Sequence, residues 1–431
     1  MANEFLPTRG GKERRKLDKR QFSMVNYRCE VLIMSKNKKW MRLRHKVLTA
    51  LLMPPFGLYI RWKYGIKVEK FKNQGKRPYL ILMNHQTGFD QFFVAMTFNR
   101  PVYYLASEDI FSMGWVSRII EWIVAPIPIK KQTTDLQAVK NCIRVAKEGG
   151  TLCIAPEGQR TFHGKTVHMS AAIGGLAKKL GLPIAIFRIE GGYGVQPRWS
   201  DVVRGGGMRS RVSRVIEPEE YKDLTGDQLF AIIEQELRCD EACVTGEYPH
   251  KKNAEYLERV VYVCPWCGLS EFESNGDILH CKRCGKQIRH KATKELEGVN
   301  CDFPHRFVSD WYLWQNDYIN RTNLLALTDA PLYEETVQLS LVHPNSHKDV
   351  LQKAATLRLY GDRITLDDRG FSFRELDALT ILGKNKLNLY HGKDILQIKG
   401  SKRFNGLKYL NFYHRYKNQT TGDGTGTYLG L

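Results

Sequence analysis

The residues with the clearest chemical meaning are a histidine and an aspartate placed five positions apart. His85 follows the apolar run 79–83, which is typical of a buried strand, and Asp90 opens the segment 90–98, which has helical character. An imidazole in such a turn can fold back onto the carboxylate, which fixes its tautomer and leaves the second ring nitrogen free to take a proton. We expect Gly88 to permit this tight loop. The pair fits a general base but, taken alone, fits a hydrogen-bonded structural histidine somewhat better.

A second polar pattern follows the predicted strand 151–155. There Glu157 and Arg160 flank Gly158, and a planar guanidinium at a strand end can bind phosphate oxygens with both arms of its fork. Taken alone, the pattern also describes a surface Glu–Arg pair in an ordinary turn. In open α/β sheets, however, ligands gather at the carboxyl ends of strands, and both polar patterns lie at such ends. We therefore expect one site that combines a base with a phosphate-binding arginine.

The elements that must position these residues alternate between strand and helix. Apolar strand-like runs are separated by stretches with helical spacing, and a helix over 217–236 closes the region. This alternation predicts an α/β domain with a largely parallel sheet. The predicted strands are 79–83, 102–105, 151–155 and 182–189, and the predicted helices are 90–98, 115–124, 136–148 and 171–180.

Four short blocks in this region, taken in order, resemble the PlsC family of lysophosphatidic acid acyltransferases. The most specific part of the resemblance is the pair N-H-x-x-x-x-D, residues 84–90, and E-G-x-R, residues 157–160. The chain departs from the family pattern where Lys131, or Lys130, replaces an arginine and where Gln159 replaces a threonine. Lysine keeps the charge but loses the fork, so we expect a looser phosphate contact there. The two remaining blocks are 127–131 and 182–186.

The resemblance implies an acyl transfer to a lysophospholipid. His85 would act as the general base and Asp90 would orient it, while an acyl thioester of coenzyme A or of acyl carrier protein supplies the acyl group. The implied acceptor is 1-acyl-sn-glycerol-3-phosphate and the product is phosphatidic acid, without a metal or a nucleotide in the chemistry. Glu157 would bind the glycerol hydroxyl or hold Arg160, and backbone N–H groups near Gly158 are candidates for binding the oxyanion. The substrate-binding residues implied are Glu157, Gly158, Arg160 and Lys131.

The charge of the chain favours an anionic partner. There are 66 Lys and Arg residues against 45 acidic ones, a net charge of +21, and a basic tail occupies residues 1–46. The apolar segment 47–60, interrupted by Pro54 and Pro55 and flanked by basic residues that include His45, predicts a segment lying in an anionic membrane interface. The alternative is a buried core helix with a proline break. We place the acyltransferase domain, with this segment, at 47–245.

The cysteine content bears on compartment and on metal binding. The start of the chain is polar and basic, unlike a signal peptide, so we expect a reducing compartment and the cytoplasmic face of a membrane, with peripheral or monotopic attachment. In such a compartment, paired cysteines hold metal more often than they form disulfides. No run of about 18 apolar residues occurs, so the sequence does not predict a spanning helix.

A compact cysteine segment, 259–292, is predicted to be a zinc ribbon. Two Cys-x-x-Cys-Gly turns direct four thiolates to one point and leave no open position, so the expected zinc is structural. A redox dithiol is the alternative for one pair alone. Nearby cations, Lys282, Arg283, Lys286 and Arg289, raise nucleic-acid binding as another role, but clustered stacking aromatics are lacking and we do not expect it. The predicted ligands are Cys264, Cys267, Cys281 and Cys284.

The rest of the chain predicts a helical linker, 304–330, and a mainly β domain, 334–418, closed by a helix over about 402–417. Short consecutive strands followed by one helix resemble PH or GRAM domains, and residues 419–431 read as a flexible tail. The basic loop residues fit either an anionic lipid surface or an ordinary solvated surface. They are Lys384, Lys386, Lys393, Lys399, Lys402 and Arg403.

Three classes of function remain open at this stage. The first is a lysophospholipid acyltransferase, whose acceptor is lysophosphatidic acid, another lysolipid or an amino-acid-linked lipid. The second is a catalytically silent acyltransferase fold that recruits partners to membranes. The third is a nucleic-acid-binding protein, which would show steeply salt-dependent affinity. The presence of both polar patterns favours the first class.

Overall fold

The structure, a computed structural model, describes residues 39–107, 110–111, 114–129, 135–166, 168–343 and 347–421. The residues outside these ranges include Lys130, Lys131, most of the predicted basic tail and most of the predicted C-terminal tail. The chain divides into a short unit, residues 1–40, and a large unit, residues 41–431.

Seven strands form a mixed sheet in the described part of the α/β domain. Their order is β1-β7-β6-β2-β5-β3-β4, and neighbouring strands are parallel except for the antiparallel β6–β7 pair. The predicted largely parallel sheet is therefore confirmed. The strands are β1 Ile66–Val68, β2 Leu80–Met83, β3 Val102–Ser107, β4 Ile127–Ile129, β5 Thr151–Ile154, β6 Ile184–Glu190 and β7 Met208–Ile216.

The central strands carry the core of this domain. Every residue of β2 and β5 is buried, because helices cover both faces of a parallel sheet. Strand β7 was not predicted, since only its ends and Ser210 are buried and arginines recur along it. All three arginines of this strand, Arg209, Arg211 and Arg214, form ion pairs with glutamates outside it. A strand of this kind lacks the apolar run by which buried strands are recognised.

The helices of the α/β domain lie mostly where periodicity predicts them. One exception is the short helix Gly192–Val195, which was not predicted. Another is the predicted helix 217–236, which is two helices, because Thr225 caps a new helix by accepting a hydrogen bond from the Gln228 amide at 3.2 Å. The helices are α1 Leu43–Tyr64, α2 Asp90–Thr97, α3 Trp115–Val124, α4 Leu136–Lys147, α5 Ala172–Leu180, α6 Gly192–Val195, α7 Pro218–Tyr221 and α8 Gly226–Leu237.

The cysteine segment is built from short antiparallel strands. A two-stranded hairpin precedes a four-stranded meander in this described segment, and the cysteines lie at strand ends and in the turns between strands. The strands are β8 Val263–Cys264, β9 Gly268–Leu269, β10 Phe272–Asn275, β11 Ile278–Cys281, β12 Gln287–His290 and β13 Leu296–Val299.

The predicted linker contains a half-buried helix, α9, Val308–Arg321. It is shorter than predicted, and its buried Gln315 accepts hydrogen bonds from the amides of Tyr262 and Val263 at 2.7 and 3.1 Å. One turn earlier on the helix, Tyr312 stacks on His163 of the α/β domain with ring centroids 4.5 Å apart. The helix therefore joins the α/β domain to the cysteine segment through buried contacts.

The C-terminal region is a β domain closed by a helix, as predicted. In the described residues, seven antiparallel strands follow the order β17-β16-β15-β14-β20-β19-β18, and α10 covers them. The hydrophobic core of this β domain is continuous with the buried side chains of α9 and of the cysteine segment. The elements are β14 Tyr333–Val342, β15 Lys348–Leu359, β16 Arg363–Leu366, β17 Arg369–Ser372, β18 Ala378–Leu382, β19 Lys386–His391, β20 Asp394–Lys399 and α10 Gly406–Thr421.

Candidate active site and cysteine cluster

The two polar patterns lie at one edge of the sheet because β2 and β5 are adjacent and parallel. Leu82 stands opposite Ile154 in the register, so the loops that follow both strands leave the sheet at the same level. The first loop carries His85 and the second carries Glu157. The expected convergence at the carboxyl ends of the strands is therefore present in the geometry.

The catalytic candidates contact each other directly. His85 Nδ1 lies 2.8 Å from Asp90 Oδ2, the His85 side chain is 25% exposed, and the Asp90 side chain is fully buried. Asp90 also accepts hydrogen bonds from the amides of Gln86 and Thr87 and from the Thr87 hydroxyl, at 2.6 to 3.1 Å. The carboxylate thus orients the imidazole through one ring nitrogen, while Nε2 remains for a substrate proton.

The backbone around His85 is held from two further sides. The Asn84 side chain bridges to β6, donating to the Ile189 carbonyl at 2.9 Å and accepting from the Ile189 amide at 2.8 Å. From β5, Glu157 Oε1 accepts a hydrogen bond from the His85 amide at 3.0 Å. The sequence identified Asn84 only as the first residue of the N-H-x-x-x-x-D block, and this bridging role was not predicted.

Glu157 makes a contact that neither expectation for it included. Its buried carboxylate contacts the backbone of the catalytic loop through the His85 amide. This hydrogen bond couples the loop after β5 to the loop after β2, so the two polar patterns form one hydrogen-bonded unit. Neither the spacing nor the residue types predicted that link.

The two glycines of the site also differ from expectation. Gly88 does not adopt a positive φ, so the loop does not depend on the conformational freedom of glycine there, contrary to our expectation. Gly158 has a φ of 66°, the left-handed region that favours glycine. Its amide donates to the Ala155 carbonyl at 3.0 Å, so the Gly158 N–H is already used and is a poor candidate for the oxyanion.

Cationic side chains lie around the catalytic loop. Arg160 Nη1 lies next to Gly88, 4.0 Å from the position that a Cβ atom on that glycine would occupy. Burial lowers the pKa of Arg160, while the nearby Asp90 raises it. A second cation comes from α1, where Lys63 Nζ lies 5.3 Å from the centre of the Phe89 ring. The sequence did not assign Lys63 to the site. The predicted phosphate ligand Lys131 lies outside the described residues.

An apolar surface adjoins this region on α1 and α3, which pack against each other. Helix α1 continues through both prolines, and many of its large side chains are exposed, so it is not the buried core helix considered as an alternative. None of the helices within the described residues combines the length and apolar character needed to cross a bilayer. The exposed residues are Leu43, Val47, Leu51, Leu52, Leu58, Tyr59 and Trp62 on α1, and Trp115, Ile119, Trp122 and Val124 on α3.

One basic residue near this apolar surface is not available to a membrane. His45 is buried, and its Nδ1 lies 3.1 Å from the Tyr103 hydroxyl. Burial, reinforced by the neighbouring cations Arg44 and Arg42, lowers the pKa of His45 to about 4. It is therefore neutral at physiological pH and does not add to the positive charge at the start of α1.

The four predicted metal ligands converge as the spacing of the cysteines implied. Their sulfur atoms lie within 4.8 Å of one another, with 3.6 Å between Cys264 and Cys284 and 3.6 Å between Cys267 and Cys281. Tetrahedral Zn²⁺ with Zn–S bonds of about 2.3 Å requires S–S separations of about 3.8 Å. The donor set therefore fits zinc, and four thiolates would fill its coordination sphere.

The cations beside the cysteines have contacts within the protein. Lys282 lies 3.4 Å from Glu271 and Arg289 lies 3.2 Å from Asp277, while Arg283 donates to the Cys267 carbonyl at 3.0 Å. Two basic residues of the C-terminal loops, Lys384 and Arg403, also form ion pairs within the chain.

Comparisons with known proteins find a likeness to acyltransferases in the first half of the chain. Residues 65–189 match the family model described as Acyltransferase, and the match includes both polar patterns. No curated protein matches the chain. Among solved structures, the 1-acyl-sn-glycerophosphate (LPA) acyltransferase PlsC from Thermotoga maritima is similar, with 21% identity over 45% of this chain and 80% of that one and a TM-score of 0.39.

Proposed function

We propose that the protein is a membrane-surface acyltransferase that moves a fatty acyl group from a thioester to the hydroxyl of a lysophospholipid. The acceptor that we favour is 1-acyl-sn-glycerol-3-phosphate, which would give phosphatidic acid. The observation that carries the proposal is the 2.8 Å contact between His85 and Asp90 within an acyltransferase-type domain, at the sheet edge that also holds Arg160. A base and a cation at one edge suit an acceptor with a hydroxyl and a phosphate.

In the proposed reaction, His85 Nε2 removes the proton of the acceptor hydroxyl as its oxygen attacks the thioester carbonyl carbon. The tetrahedral intermediate then collapses, the C–S bond breaks, and the leaving thiolate takes the proton back from the imidazolium. The products are an ester and a free thiol of coenzyme A or of acyl carrier protein. Asp90 stabilises the imidazolium formed in between and keeps Nε2 directed at the substrate.

The acceptor phosphate is the natural ligand for the cations of the site. Arg160 can hold two phosphate oxygens with its fork, Lys63 adds a second positive charge from α1, and Lys131 remains a predicted contributor.

Arg160→Lys should raise the KM for the lysophospholipid about tenfold, because a charge-assisted hydrogen bond is lost. The KM for the acyl donor should stay within about twofold, and steady-state kinetics with each substrate varied in turn measure both.

The experiment that tests the function is a transfer assay on purified protein with a panel of acceptors. Each lysophospholipid is offered with an acyl-coenzyme A or an acyl-acyl carrier protein, and the expected product is phosphatidic acid from lysophosphatidic acid. Transfer to a different lysolipid alone would replace the favoured acceptor. Vesicle binding without transfer to any acceptor would favour the recruitment protein, and steeply salt-dependent RNA or DNA affinity would favour the third class.

The proposed membrane contact rests on the exposed apolar side chains of α1 and α3. Trp62 is 81% exposed and Trp122 is 52% exposed, and basic residues at both ends of α1 can face anionic headgroups. We also propose attachment to the cytoplasmic face of the membrane and a PH- or GRAM-like fold for the C-terminal domain.

Replacing both tryptophans with serine should weaken binding to anionic vesicles by at least about 100-fold, because each large apolar side chain contributes roughly 1.5–3 kcal/mol on burial. Co-sedimentation with vesicles of phosphatidylcholine and phosphatidylglycerol measures the effect. Trp266→Ser, the same change at an exposed tryptophan of the cysteine segment, is the matched control and should bind like the wild type. Equal binding of the double variant would remove this surface from the proposal.

We also propose that Cys264, Cys267, Cys281 and Cys284 hold a structural Zn²⁺. The convergence of their sulfur atoms supports it, and the closed ligand set leaves no position for a substrate. No catalytic step of the proposed reaction involves this ion.

A further inference from the structure

Arg198 is a buried cation that contacts two distant parts of the chain at once. It follows α6 and is only 4% exposed. Toward the active site, its Nη1 donates to the Gln159 side-chain oxygen at 3.0 Å and to the Arg160 carbonyl at 2.8 Å. Toward the C-terminal domain, its Nε donates to the Gly383 carbonyl at 3.0 Å. One guanidinium therefore joins the loop after β5 to the turn between β18 and β19.

The surroundings of Arg198 hold it firmly in this position. Its guanidinium lies 4.0 Å from the centre of the Phe162 ring, and Nη2 reaches the Ile381 carbonyl at 3.4 Å. The nearby positive charge of Arg160 adds to burial in lowering the pKa of Arg198. A buried cation is costly unless its donors are satisfied, and here carbonyl and amide oxygens satisfy them.

The turn between β18 and β19 is anchored to the α/β domain by a second group of bonds. Lys384, in that turn, donates to the Ser200 carbonyl and contacts Asp201 at 2.9 Å. Buried Arg259 also contacts Asp201 at 2.8 Å. Although burial alone would raise it, hydrogen bonds from Arg259 and Lys384 hold the pKa of Asp201 at about 2. The turn is thus fixed next to Arg198 at neutral pH.

We infer that Arg198 is a positioning residue through which the C-terminal β domain sets the place of Arg160 in the acceptor site. The inference rests on the proposed function of Arg160. Because Arg198 binds the Arg160 carbonyl, the start of the Arg160 side chain is fixed relative to the turn at Gly383. Gln159 serves the same link with its side chain, which accounts for a glutamine at the position where the E-G-x-R pattern departs from threonine.

The role requires an arginine. A lysine has the charge but a single terminal nitrogen. It cannot place one nitrogen on the Gln159 and Arg160 oxygens and a second, rigidly linked nitrogen on the Gly383 oxygen, as Nη1 and Nε of Arg198 do. Loss of the link displaces the loop after β5, and a small displacement of a substrate-positioning group costs up to about 100-fold in rate. The C-terminal domain is therefore part of the acceptor site although it contributes no group to the chemistry.

The test compares Arg198→Lys with Arg204→Lys in the full-length protein. Arg204 is equally buried in the same segment, but it donates to the Asn253 carbonyl at 2.7 Å and lies over the Trp199 ring. We expect Arg198→Lys to raise the KM for lysophosphatidic acid about tenfold while the KM for the acyl donor stays within about twofold. Arg204→Lys should leave both KM values near those of the wild type, with thermal melting reporting any loss of stability in either variant.

A second readout does not depend on activity. Hydrogen exchange followed by mass spectrometry should show faster exchange over 156–162 and over 381–386 in Arg198→Lys, and not in Arg204→Lys. Gln159→Leu, which keeps the arginine and removes one acceptor, should reproduce the change over 156–162 in weaker form. Unchanged exchange and an unchanged acceptor KM in a folded Arg198→Lys protein would overturn the inference. Faster exchange in a protein that acylates no lysolipid would overturn the proposed function and leave the mechanical link in place.

Discussion

The His85→Ala variant should lose at least about 100-fold in kcat for acyl transfer, because general-base catalysis by a positioned histidine contributes that much or more. The expected cause is chemical, since the imidazole is partly exposed at the sheet edge and only one of its nitrogens is held by Asp90. A structural histidine would instead reveal itself as lost stability. Steady-state kinetics and thermal melting, measured on the same preparation, separate the two explanations.

The chain offers a matched control for this variant. His343 also places a ring nitrogen 2.8 Å from a carboxylate, that of Asp349, but the pair lies on the β14–β15 hairpin of the C-terminal domain. His343→Ala should therefore leave turnover near that of the wild type. If the folded His85→Ala protein retains near-normal activity, the proposed base is wrong and the transfer must use another group.

The partner of the histidine needs a milder substitution. Asp90 accepts hydrogen bonds from the Gln86 and Thr87 amides as well as from His85, so Asp90→Ala would disrupt the loop itself. Asp90→Asn keeps one oxygen acceptor and removes the charge that stabilises the imidazolium. Its fold should remain intact while its turnover falls together with that of His85→Ala.

Loss of the proposed zinc should have the largest effect on stability. Cys264 and Cys281 are buried within the core that the cysteine segment shares with α9 and the C-terminal sheet. Structural Zn²⁺ contributes roughly 10 kcal/mol or more to the folding of small zinc domains. We expect Cys281→Ser, or prolonged treatment with a strong chelator, to lower the Tm by at least about 10 °C, since each kcal/mol shifts the Tm of a domain this size by about 2–4 °C.

The control for the zinc prediction is an exposed cysteine outside the cluster. Cys243 lies in the chain between α8 and the cysteine segment, and Cys243→Ser should leave the Tm unchanged within about 1 °C, as surface substitutions usually do. Elemental analysis should find one zinc atom per chain in the wild type and less in Cys281→Ser. A metal-free wild-type protein with the same Tm after chelation would contradict the assignment.

Much of the α/β domain could be predicted from the sequence. Strands β2 and β5 lie at the centre of a parallel sheet, where burial on both faces requires continuous apolar runs, and such runs are visible in any sequence. The same is true of the cysteine spacing, which depends only on short turns. The His85–Asp90 contact could also be predicted from the sequence, because only one short loop separates the two residues.

Other features depend on residues far apart in the sequence. Strand β7 has a mixed pattern because much of it is only half buried, and its arginines pair with carboxylates elsewhere in the chain. The division of the predicted helix 217–236 is different, because it depends on a local cap at Thr225 that the spacing to Gln228 could have indicated. The hydrogen bond from the His85 amide to Glu157 joins loops from two different strands. Side chains that bind backbone groups leave no periodic pattern, so residue types alone do not predict such bonds.

By itself, the sequence determined where the proposed base, its carboxylate and the four cysteines lie along the chain, and which strand precedes the proposed base. Only the tertiary structure decided that the C-terminal domain contacts the active site, through Arg198 bound to the carbonyls of Arg160 and Gly383. The physical reason is that local patterns record burial and turns, which act over a few residues. The packing of separate domains depends on pairs of groups nearly two hundred positions apart. The sequence around one of these groups does not indicate which distant group it contacts.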